Sequence, residues 1–546
     1  MTIPELDVGP VPSPPASVVG RAGPVEGARP PRWIKVIDQT RCIGCHACTT
    51  ACKSENEVPV GVTRTYVKAV DVGLFPQARR VFQVTRCNQC TDAPCVTACP
   101  TAAMFRRPDG IVDFDKSACI GCKACIAACP YDAIFINPED HSAEKCNLCA
   151  HRIDIGLEPA CVVVCPTQAI LVGDLHDPSS RVAAIVERDA VAVRRPEKET
   201  RPGLFYRGAH EAIIDPLAAR RPTGTTLMWS ERPTGGRIVE GGSPSNARLG
   251  TPTSSAAAIL AYDVPHRAPW DWRVSLYTWT KAIAAGGYLV PLLLVLAGIV
   301  PTGSPLWVWG APVVGGAFLG STALLLLADL EHPRRFGYLF LRPQWRSWLV
   351  RGAVFITAFS GVLVAHVAVS LAGQAGLIDS TAASTIRGGL ATIGLPLGIM
   401  TAIYTAYLFA QARARDLWQD PLLPIELLVS TVLAGTATTL LIAVVVEGSA
   451  VPALATWLAA GAGAQLALTA AAATLGHPTA HARLASREMT RGRYAGFYWA
   501  SVALVAGALL AGVADPVAPS LAVAVLVGLL AYEHAYVQAG QAVPLA

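Results

Sequence analysis

The sequence predicts an α+β cysteine-rich domain followed by an all-α bundle of eight transmembrane helices, and three observations lead to that division. All sixteen cysteines of the 546-residue chain lie between Cys42 and Cys165. Long runs of Leu, Val, Ala and Gly begin at Tyr277 and continue almost to the end of the sequence. The mean hydropathy of +0.41, with only 15% charged residues, is unusual for a soluble protein of this length.

Eight apolar runs in the second part each approach the ~20 residues that a helix needs to cross a bilayer. The predicted spans are 277–300, 306–330, 347–372, 388–409, 425–446, 452–476, 497–514 and 520–537. A single Ala/Gly-rich run could also be a buried helix of a soluble protein. Eight consecutive runs with short connections favour a membrane bundle.

The residues before the cysteines differ in composition from both parts. The first 31 residues contain eight prolines and few residues able to form a core, so they are predicted to be a disordered leader. No twin-arginine or Sec signal is found in them, and an exported disulfide framework is therefore not expected. The predicted divisions are the leader 1–31, the cysteine domain 32–175, a Pro-, Gly- and Arg-rich extension and linker 176–270, and the transmembrane domain 271–546.

The cysteines form four groups of four with the spacing of iron–sulfur ligands. The groups are Cys42, Cys45, Cys48, Cys52; Cys87, Cys90, Cys95, Cys99; Cys119, Cys122, Cys125, Cys129; and Cys146, Cys149, Cys161, Cys165. The first and third have the C-x2-C-x2-C-x3-C pattern, in which three thiolates can wrap one cubane while the fourth reaches another. Paired C-x-x-C groups also build zinc ribbons, but four consecutive four-cysteine groups exceed what a ribbon requires.

The first and third groups belong to an internal repeat. Cys-Ile-Gly-Cys occurs at 42–45 and again at 119–122, each time a few residues after a short β-like run, 34–37 and 111–114. The glycines, Gly44 and Gly121, supply backbone freedom where the chain must curl around inorganic sulfide. The repeat predicts a duplicated, ferredoxin-like α+β iron–sulfur domain.

On these motifs, residues 33–175 resemble the four-cluster ferredoxin subunit of the dimethyl-sulfoxide reductase and polysulfide reductase families. The resemblance implies four [4Fe–4S] clusters, in which the first cysteine group shares clusters with the fourth and the second with the third. The implied ligands are Cys42, Cys45, Cys48 and Cys165 for cluster 1; Cys52, Cys146, Cys149 and Cys161 for cluster 2; Cys87, Cys90, Cys95 and Cys129 for cluster 3; and Cys99, Cys119, Cys122 and Cys125 for cluster 4. Several cubanes in one small domain suit electron transfer, because electrons tunnel only over short gaps.

A polar motif between the second and third predicted spans, Asp-Leu-Glu-His-Pro-Arg-Arg-Phe at 329–336, resembles the signature of NrfD-like polysulfide-reductase membrane subunits. The resemblance implies a quinone-reactive membrane domain without haem, fused here to the ferredoxin-like domain. The histidines agree with this expectation. His366 and His534 are the histidines within the predicted spans, and they fall at different depths, so they are not expected to grip a haem between helices.

Eight polar side chains map to the same half of the bundle if the spans alternate in direction. They are Lys281, Asp329, Arg351, Tyr404, Tyr407, Glu426, Glu533 and His534. Ionisable groups near lipid are costly and usually functional. The candidate quinone and proton site comprises Asp329, Glu426, Tyr407, Glu533 and His534, with Asp329 and Glu426 as proton carriers. The alternative is that several of the eight cap helices or snorkel to the interface.

Together these features predict an electron-transfer and membrane-anchor subunit that carries electrons between a membrane quinone and a separate catalytic subunit. The resemblance implies that this partner is of the molybdopterin type, and no pterin-binding domain is found in the sequence. Two other hypotheses remain open. One is a redox-driven ion-translocating membrane module without quinone chemistry, and the other is a non-catalytic redox sensor or scaffold.

The distribution of arginines excludes one class of partner and predicts the orientation. The net charge of +5 is small and no basic tract carries interleaved aromatics, so nucleic acid is not expected as a partner.

The loops after predicted spans two, four and six contain ten arginines, whereas the loops on the other side contain one arginine, Arg387. Because positive loops stay inside, the iron–sulfur domain and both termini are predicted to be cytoplasmic, at the inner membrane.

Overall fold

The computed structural model describes residues 29–73, 76–221, 258–511 and 517–545. Nearly all of the predicted leader 1–31, and positions 222–257 of the predicted linker, lie outside the described residues. The described chain has a mixed α/β part followed by a helical part, as the sequence predicts.

The N-terminal part contains short strands and helices arranged around the cysteines. The strands are β1 (Trp33–Asp38), β2 (Thr65–Val72), β3 (Arg79–Arg86), β4 (Met104–Arg106), β5 (Val112–Phe114), β6 (Ile134–Ile136), β7 (Ala143–Lys145), β8 (Ile170–Asp174), β9 (Val191–Ala192), β10 (Leu204–Arg207) and β11 (Ala258–Tyr262). The helices are α1 (Ala47–Glu55), α2 (Pro94–Ala98), α3 (Ala124–Ala128), α4 (Ala150–Ile153), α5 (Ala160–Val163), α6 (Arg181–Arg188) and α7 (Glu211–Ile214). The described sheets have the orders β8-β1-β10-β9, β11-β2-β3, β4-β5 and β6-β7.

Strand β1 lies at the centre of the largest of these sheets. It pairs antiparallel with β8 and parallel with β10, with Val36 opposite Leu171 on one side and Phe205 on the other. A strand paired on both sides and covered on both faces needs a nearly continuous apolar run, and Ile34 and Val36 are fully buried. The β-like run at 34–37 is therefore part of a strand, as predicted.

The segment 176–270, which the sequence predicts as extension and linker, contributes strands to both larger sheets. Strands β9 and β10 complete the first sheet, and β11 pairs antiparallel with β2 in the second. The described portions of this segment are thus part of the cysteine domain, while the boundaries between domains stay a prediction.

The internal repeat is visible in the backbone. Gly44 and Gly121 have φ of 70° and 71°, and His46 and Lys123, which cap α1 and α3, have φ of 60° and 61°. Both loops therefore curl in the same left-handed conformation before their helix begins, and glycine adopts it without steric cost.

Among the described residues, seven helical segments are long and apolar enough to cross a membrane, and up to eight if one bent pair is a single span. The segments are α8 (Trp272–Leu296), Leu306–Asp329, which ends in α9 (Ala311–Asp329), α11 (Trp348–Gln374), α12 (Ser380–Gln411), α13 (Leu423–Val446), Gly448–Thr474, which contains α14 (Val451–Thr474), and α17 (Ala518–Ala542). A short helix, α10 (Tyr338–Leu341), lies between α9 and α11. The bent pair consists of α15 (Ala480–Thr490) and Ala495–Leu510, which contains α16 (Ala495–Gly507), at 67° to each other. Positions 512–514 of the predicted seventh span lie outside the described residues.

Helix α8 is the central helix of the bundle and packs against α9, α12, α13 and α17. Its crossing with α13 is very close: a Cβ at Gly286 would lie 2.1 Å from the Thr431 carbonyl oxygen, and one at Gly435 would meet the Gly286 backbone. Small residues permit such approaches between membrane helices. The close crossing of α8 and α13 keeps the polar side chains of α8, such as Thr280 and Lys281, buried inside the helical bundle.

The N-terminal domain rests on one end of the bundle. Lys198 contacts Asp416 between α12 and α13, and the Arg195 guanidinium lies 3.0 Å from His481 Nε2 on α15. Arg194 donates to the Leu545 carbonyl oxygen at 2.9 Å, after α17. The arginine-bearing loops and the C-terminus therefore share the side of the iron–sulfur domain, as the alternating spans predict.

Candidate functional site

The cysteines come together in four sets that match the four implied ligand sets. Cavities are lined by Cys42, Cys45, Cys48 and Cys165 (thiol set 1), by Cys52, Cys146, Cys149 and Cys161 (thiol set 2), and by Cys99, Cys119, Cys122 and Cys125 (thiol set 4). Cys95 interacts electrostatically with Cys87, Cys90 and Cys129, which complete thiol set 3. Ligation itself stays a prediction; the structure brings the thiols of each implied set together.

The thiol sets fit a group larger than a single ion. All sixteen cysteines are free, and the described residues contain no group of three or more His, Cys, Asp or Glu side chains placed to hold one metal ion. A zinc ribbon would bring four ligands to one point. Burial and neighbouring thiols raise the pKa of Cys42 to about 11 and that of Cys52 to about 12, so bound iron must displace their protons.

Two buried cations face thiol set 2. Lys35 Nζ lies 3.1 Å from Cys146 Sγ, and an Arg86 nitrogen lies 2.9 Å from Cys161 Sγ. Burial acts to raise the pKa of Cys146, but Lys35 and Arg86 outweigh it and lower that pKa to about 6. Positively charged hydrogen-bond donors next to a sulfur ligand stabilise the negative charge of a sulfur-ligated iron centre and contribute to its reduction potential.

The four sets form a line from the surface to the membrane domain. Cys45 of set 1 is exposed, and Cys48 of set 1 interacts with Cys161 of set 2. The Cys146 carbonyl oxygen of set 2 accepts a hydrogen bond at 2.9 Å from Gln89, which lies in sequence between Cys87 and Cys90 of set 3. Cys125 of set 4 interacts with Cys95 of set 3. The order along the line is therefore 1, 2, 3, 4.

Thiol set 4 lies directly against the polar motif at 329–336. Lys123 Nζ donates to the Asp329 carbonyl oxygen at 3.0 Å and lies 3.3 Å from Asp329 Oδ1 and 3.1 Å from Glu331 Oε1. Burial lowers the pKa of Lys123, but the two carboxylates more than compensate and the net pKa is raised. Arg335 donates to the Cys119 carbonyl oxygen at 2.9 Å, and a Cβ at Gly121 would lie 2.4 Å from Glu331 Cβ. The motif that resembles the family signature thus contacts the last thiol set of the line.

A chain of aromatic rings continues from thiol set 4 into the bundle. Trp270 Nε1 donates to the Cys122 carbonyl oxygen at 3.3 Å, and its ring stacks on Trp418 at 5.4 Å between centroids. Phe409 stacks on Trp418 at 4.7 Å and lies 6.5 Å from Tyr536, which stacks on Tyr532 at 6.2 Å. The rings lead from the cysteine loop to a group of buried polar side chains.

That group, which we call the proximal polar group, comprises Lys281, Glu426, Tyr532 and Glu533. Each is at most 7% exposed. Lys281 donates to the Ala402 carbonyl oxygen at 2.8 Å and to the Thr405 hydroxyl at 2.6 Å, and it interacts with Glu533. Glu426 interacts with Glu533 and Tyr532, yet Glu426 Oε1 and the Tyr532 hydroxyl make no hydrogen bond of ordinary geometry within the described chain. The two side chains therefore lie next to each other in the buried interior of the bundle.

The predicted quinone-site residues separate into three locations. Glu426 and Glu533 meet in the proximal polar group, with Tyr404 beneath the Lys281 ammonium at 4.8 Å. Asp329 lies at the interface with the cysteine domain. Tyr407 stacks on Trp348 at 4.3 Å, with Arg351 over the same ring, and His534 packs on Phe497 at 4.7 Å. The structure therefore does not bring Tyr407 or His534 to the buried carboxylates.

Sequence reasoning missed Lys123, Trp270 and Tyr532. Lys123 lies inside the third cysteine group, where a cation between two ligands could have been noticed. Tyr532 precedes Glu533, which was identified. Trp270 carries no local signal, because its partners Cys122 and Trp418 are each 148 residues away.

Family comparisons match both parts of the chain. The family described as "Polysulphide reductase, NrfD" matches residues 263–544, more than half of the sequence. A "4Fe-4S dicluster domain" matches residues 78–175, and a "4Fe-4S binding domain" matches residues 33–54. These two ranges contain all sixteen cysteines.

Several similar proteins are named as subunits of reductases. One subunit of the tetrathionate reductase from Salmonella typhimurium is 43% identical over 210 residues, which cover 83% of that protein and 38% of this chain. The thiosulfate reductase electron transfer subunit of Salmonella typhi is 46% identical over 149 residues, 78% of that protein and 27% of this chain. The arsenate respiratory reductase iron-sulfur subunit of a Shewanella species is 34% identical over 219 residues, 94% of that protein and 31% of this chain.

Proposed function

Because the chain belongs to the polysulphide reductase NrfD family and joins that membrane domain to a reductase-type iron–sulfur domain, we propose that it connects a membrane quinone to a separate catalytic subunit. Electrons would pass through four [4Fe–4S] clusters held by thiol sets 1 to 4. Four clusters supply one-electron carriers over the length of the domain.

The observation that carries this proposal is the contact between thiol set 4 and the membrane motif. The Cys119–Cys122 loop is held by Arg335 and Trp270, while Lys123 reaches Asp329 at the end of α9. Thiol set 1 lies at the other end of the line, where Cys45 is exposed. A line with one end at the surface and the other at the membrane domain suits transfer between two separate redox partners.

The proximal polar group is the proposed quinone site. Lys281 lies nine residues into α8, about 14 Å from the end of the bundle that carries the iron–sulfur domain. The Tyr532 hydroxyl would donate a hydrogen bond to a quinone carbonyl, and Glu426 would donate a second one when its carboxyl group is protonated. Glu426 and Glu533 would exchange protons with the quinone. Asp329 would act between this group and thiol set 4. Tyr407 and His534, which lie elsewhere, are not part of the proposed site.

The catalytic partner is proposed to dock around thiol set 1. Apolar side chains are exposed there beside two ligands: Ile43 is 58% exposed, Val163 59% and Val164 40%. An interface centre of this kind is typically apolar. The partner is proposed to be of the molybdopterin type, following the resemblance of both parts of the chain. The proposed orientation is cytoplasmic for the iron–sulfur domain, supported by the ten arginines in loops on its side.

The test is reoxidation of reduced clusters by quinone in the full-length holoprotein in lipid vesicles. We expect a short-chain benzoquinone to reoxidise the clusters, and Glu426→Gln to slow this reaction at least about tenfold, because a proton carrier is removed. The matched control is Glu447→Gln, since Glu447 lies after α13 at the opposite end and its carboxylate accepts from Ser304 and Ser449. Clusters that stay reduced after the quinone is added would overturn the proposal and leave the ion-translocating alternative.

A further inference from the structure

A second set of buried polar side chains lies in the half of the bundle away from the iron–sulfur domain. This distal polar group comprises Tyr288, His366 and Arg387, which are 0%, 0% and 7% exposed. The His366 ring lies 5.8 Å from Tyr288 and 4.7 Å from Trp307 between centroids, and Arg387 is close enough to act on His366 electrostatically.

The distal polar group has unused hydrogen-bonding capacity. Within the described chain, neither ring nitrogen of His366, nor the Tyr288 hydroxyl, nor Arg387 Nε has a hydrogen-bond partner. A buried polar atom left without a partner costs about 1–3 kcal/mol. Such atoms in native proteins are usually satisfied by bound water.

A seam between α8 and α12 connects the two polar groups. Arg387, Gly394 and Thr401 follow each other at seven-residue intervals and so share one face of α12, and Lys281 and Tyr288 have the same spacing on α8. Gly394 leaves room for Tyr288, because a Cβ there would lie 2.9 Å from the hydroxyl oxygen. The seam thus places Tyr288 between Arg387, at the far end of the distal polar group, and Lys281.

The polar atoms of the seam extend across most of a bilayer. Thr401 is fully buried and its hydroxyl has no partner among the described residues, and Thr405, one turn further, accepts from Lys281. From Arg387 to Thr405 is eighteen residues, about 27 Å of helix, compared with about 30 Å for the hydrocarbon core. Pro291 in α8 has no backbone N–H, so the Gly287 carbonyl oxygen, next to Tyr288, lacks the hydrogen-bond donor that a regular helix would supply.

We propose that this seam holds a chain of bound water and conducts protons between the face opposite the iron–sulfur domain and the Lys281–Glu533 pair. The inference rests on the proposed quinone function. Reduction of a quinone to a quinol takes two electrons from the clusters and two protons, and the protons arrive through the seam at Glu533. An apolar occupant would leave the unpartnered atoms unsatisfied, whereas water supplies both donors and acceptors.

The experiment uses the full-length holoprotein in vesicles that contain an entrapped pH dye. A membrane-impermeant reductant added outside addresses only copies whose iron–sulfur domain faces outward, and a short-chain benzoquinone is the acceptor. We expect the interior to become alkaline in proportion to quinol formed. Tyr288→Phe, which removes only the hydroxyl, and His366→Leu are expected to slow quinol formation at least about tenfold with an unchanged sixteen irons per chain.

The matched control is Ser370→Ala on α11, one turn from His366, because its hydroxyl already donates to the Val308 carbonyl oxygen at 2.9 Å. We expect parental rates for this variant. Quinol formation in the parental protein without interior alkalinisation would overturn the inference, as would parental rates in both Tyr288→Phe and His366→Leu. Absence of any quinol formation in the parental protein would instead refute the proposed function on which the inference rests.

Discussion

At the scale of single residues, Lys123 joins the two halves of the molecule. It lies in sequence between the thiolate candidates Cys122 and Cys125, and its ammonium lies between Asp329 and Glu331 of the membrane domain. The Lys123 and Asp329 side chains are only 13% and 11% exposed. A charge in this position acts on thiol set 4 and on the membrane motif together.

We therefore predict that Lys123→Met lowers the midpoint potential of one cluster, because a nearby positive charge is removed and two carboxylates are left unbalanced. The contact between the iron–sulfur domain and the membrane domain is expected to weaken by about 1–3 kcal/mol. Redox titration followed by paramagnetic resonance measures the shift. Lys116→Met is the control, since Lys116 pairs with Asp140 and Glu144 inside the iron–sulfur domain. Equal effects of the two substitutions would show that Lys123 has no special role.

His266 provides a pH-dependent contact between the segment before α8 and the cysteine domain. Its ring contacts Asp132 and lies 3.2 Å from Asp263 Oδ1. Burial lowers the pKa of His266, but the two carboxylates outweigh it and raise that pKa from 6.5 to about 9. The stabilisation is complete below about pH 6.5 and is lost as the pH rises through 9.

Replacing His266 should therefore destabilise the protein most at neutral and acidic pH. A shift of this size corresponds to roughly 3 kcal/mol, and His266→Gln is expected to lose most of it. Thermal unfolding in detergent at about pH 7 and about pH 10 tests this prediction. The difference between parental protein and variant should shrink at the higher pH, and a difference that stays constant would contradict the assignment.

At the scale of elements, the sequence predicted those whose signal is local. The long apolar runs form the apolar helices of the bundle, the β-like run at 34–37 lies in β1, and the run at 111–114 overlaps β5. The sequence does not predict strand β10, because this strand has only four residues and is ordered by pairing with β1, about 170 residues earlier. The sequence predicts a loop where the structure has helix α15, because the arginines of this helix alternate with an apolar face that packs in the core, formed by Leu484, Ala485 and Met489. The contact of Lys123 with Asp329 could not be predicted, because nothing local relates residues 206 positions apart.

The packing of α1 on α5 gives a prediction about ligation. Cys52 on α1 interacts with Cys161, next to the start of α5, although 109 residues separate them. Cys52→Ser and Cys161→Ser are therefore expected to abolish the same paramagnetic resonance signal and leave the other clusters intact. Loss of two different signals would refute the interleaved sets. Cys95→Ser is the matched control, because it belongs to thiol set 3 and should remove a different signal.

At the scale of the whole molecule, the described contacts between the two parts lie at one end of the bundle. We predict that this end is cytoplasmic. A cysteine introduced at Thr302, in the exposed loop after α8, should react with an impermeant thiol reagent in intact cells, whereas a reporter after α17 should stay inaccessible. The unmodified protein is the control for its native cysteines. An unreactive position 302 together with an accessible C-terminus would reverse the orientation.

The presence of both parts on one chain changes what the interface has to achieve. The connection between β11 and α8 converts docking of the iron–sulfur domain into an intramolecular event, with an effective local concentration of about millimolar. Contacts such as Lys123–Asp329, Arg194–Leu545 and Lys198–Asp416 therefore need not hold two freely diffusing proteins together at cellular dilution. The tether fixes equal numbers of both parts, and the interface is free to serve electron transfer rather than assembly.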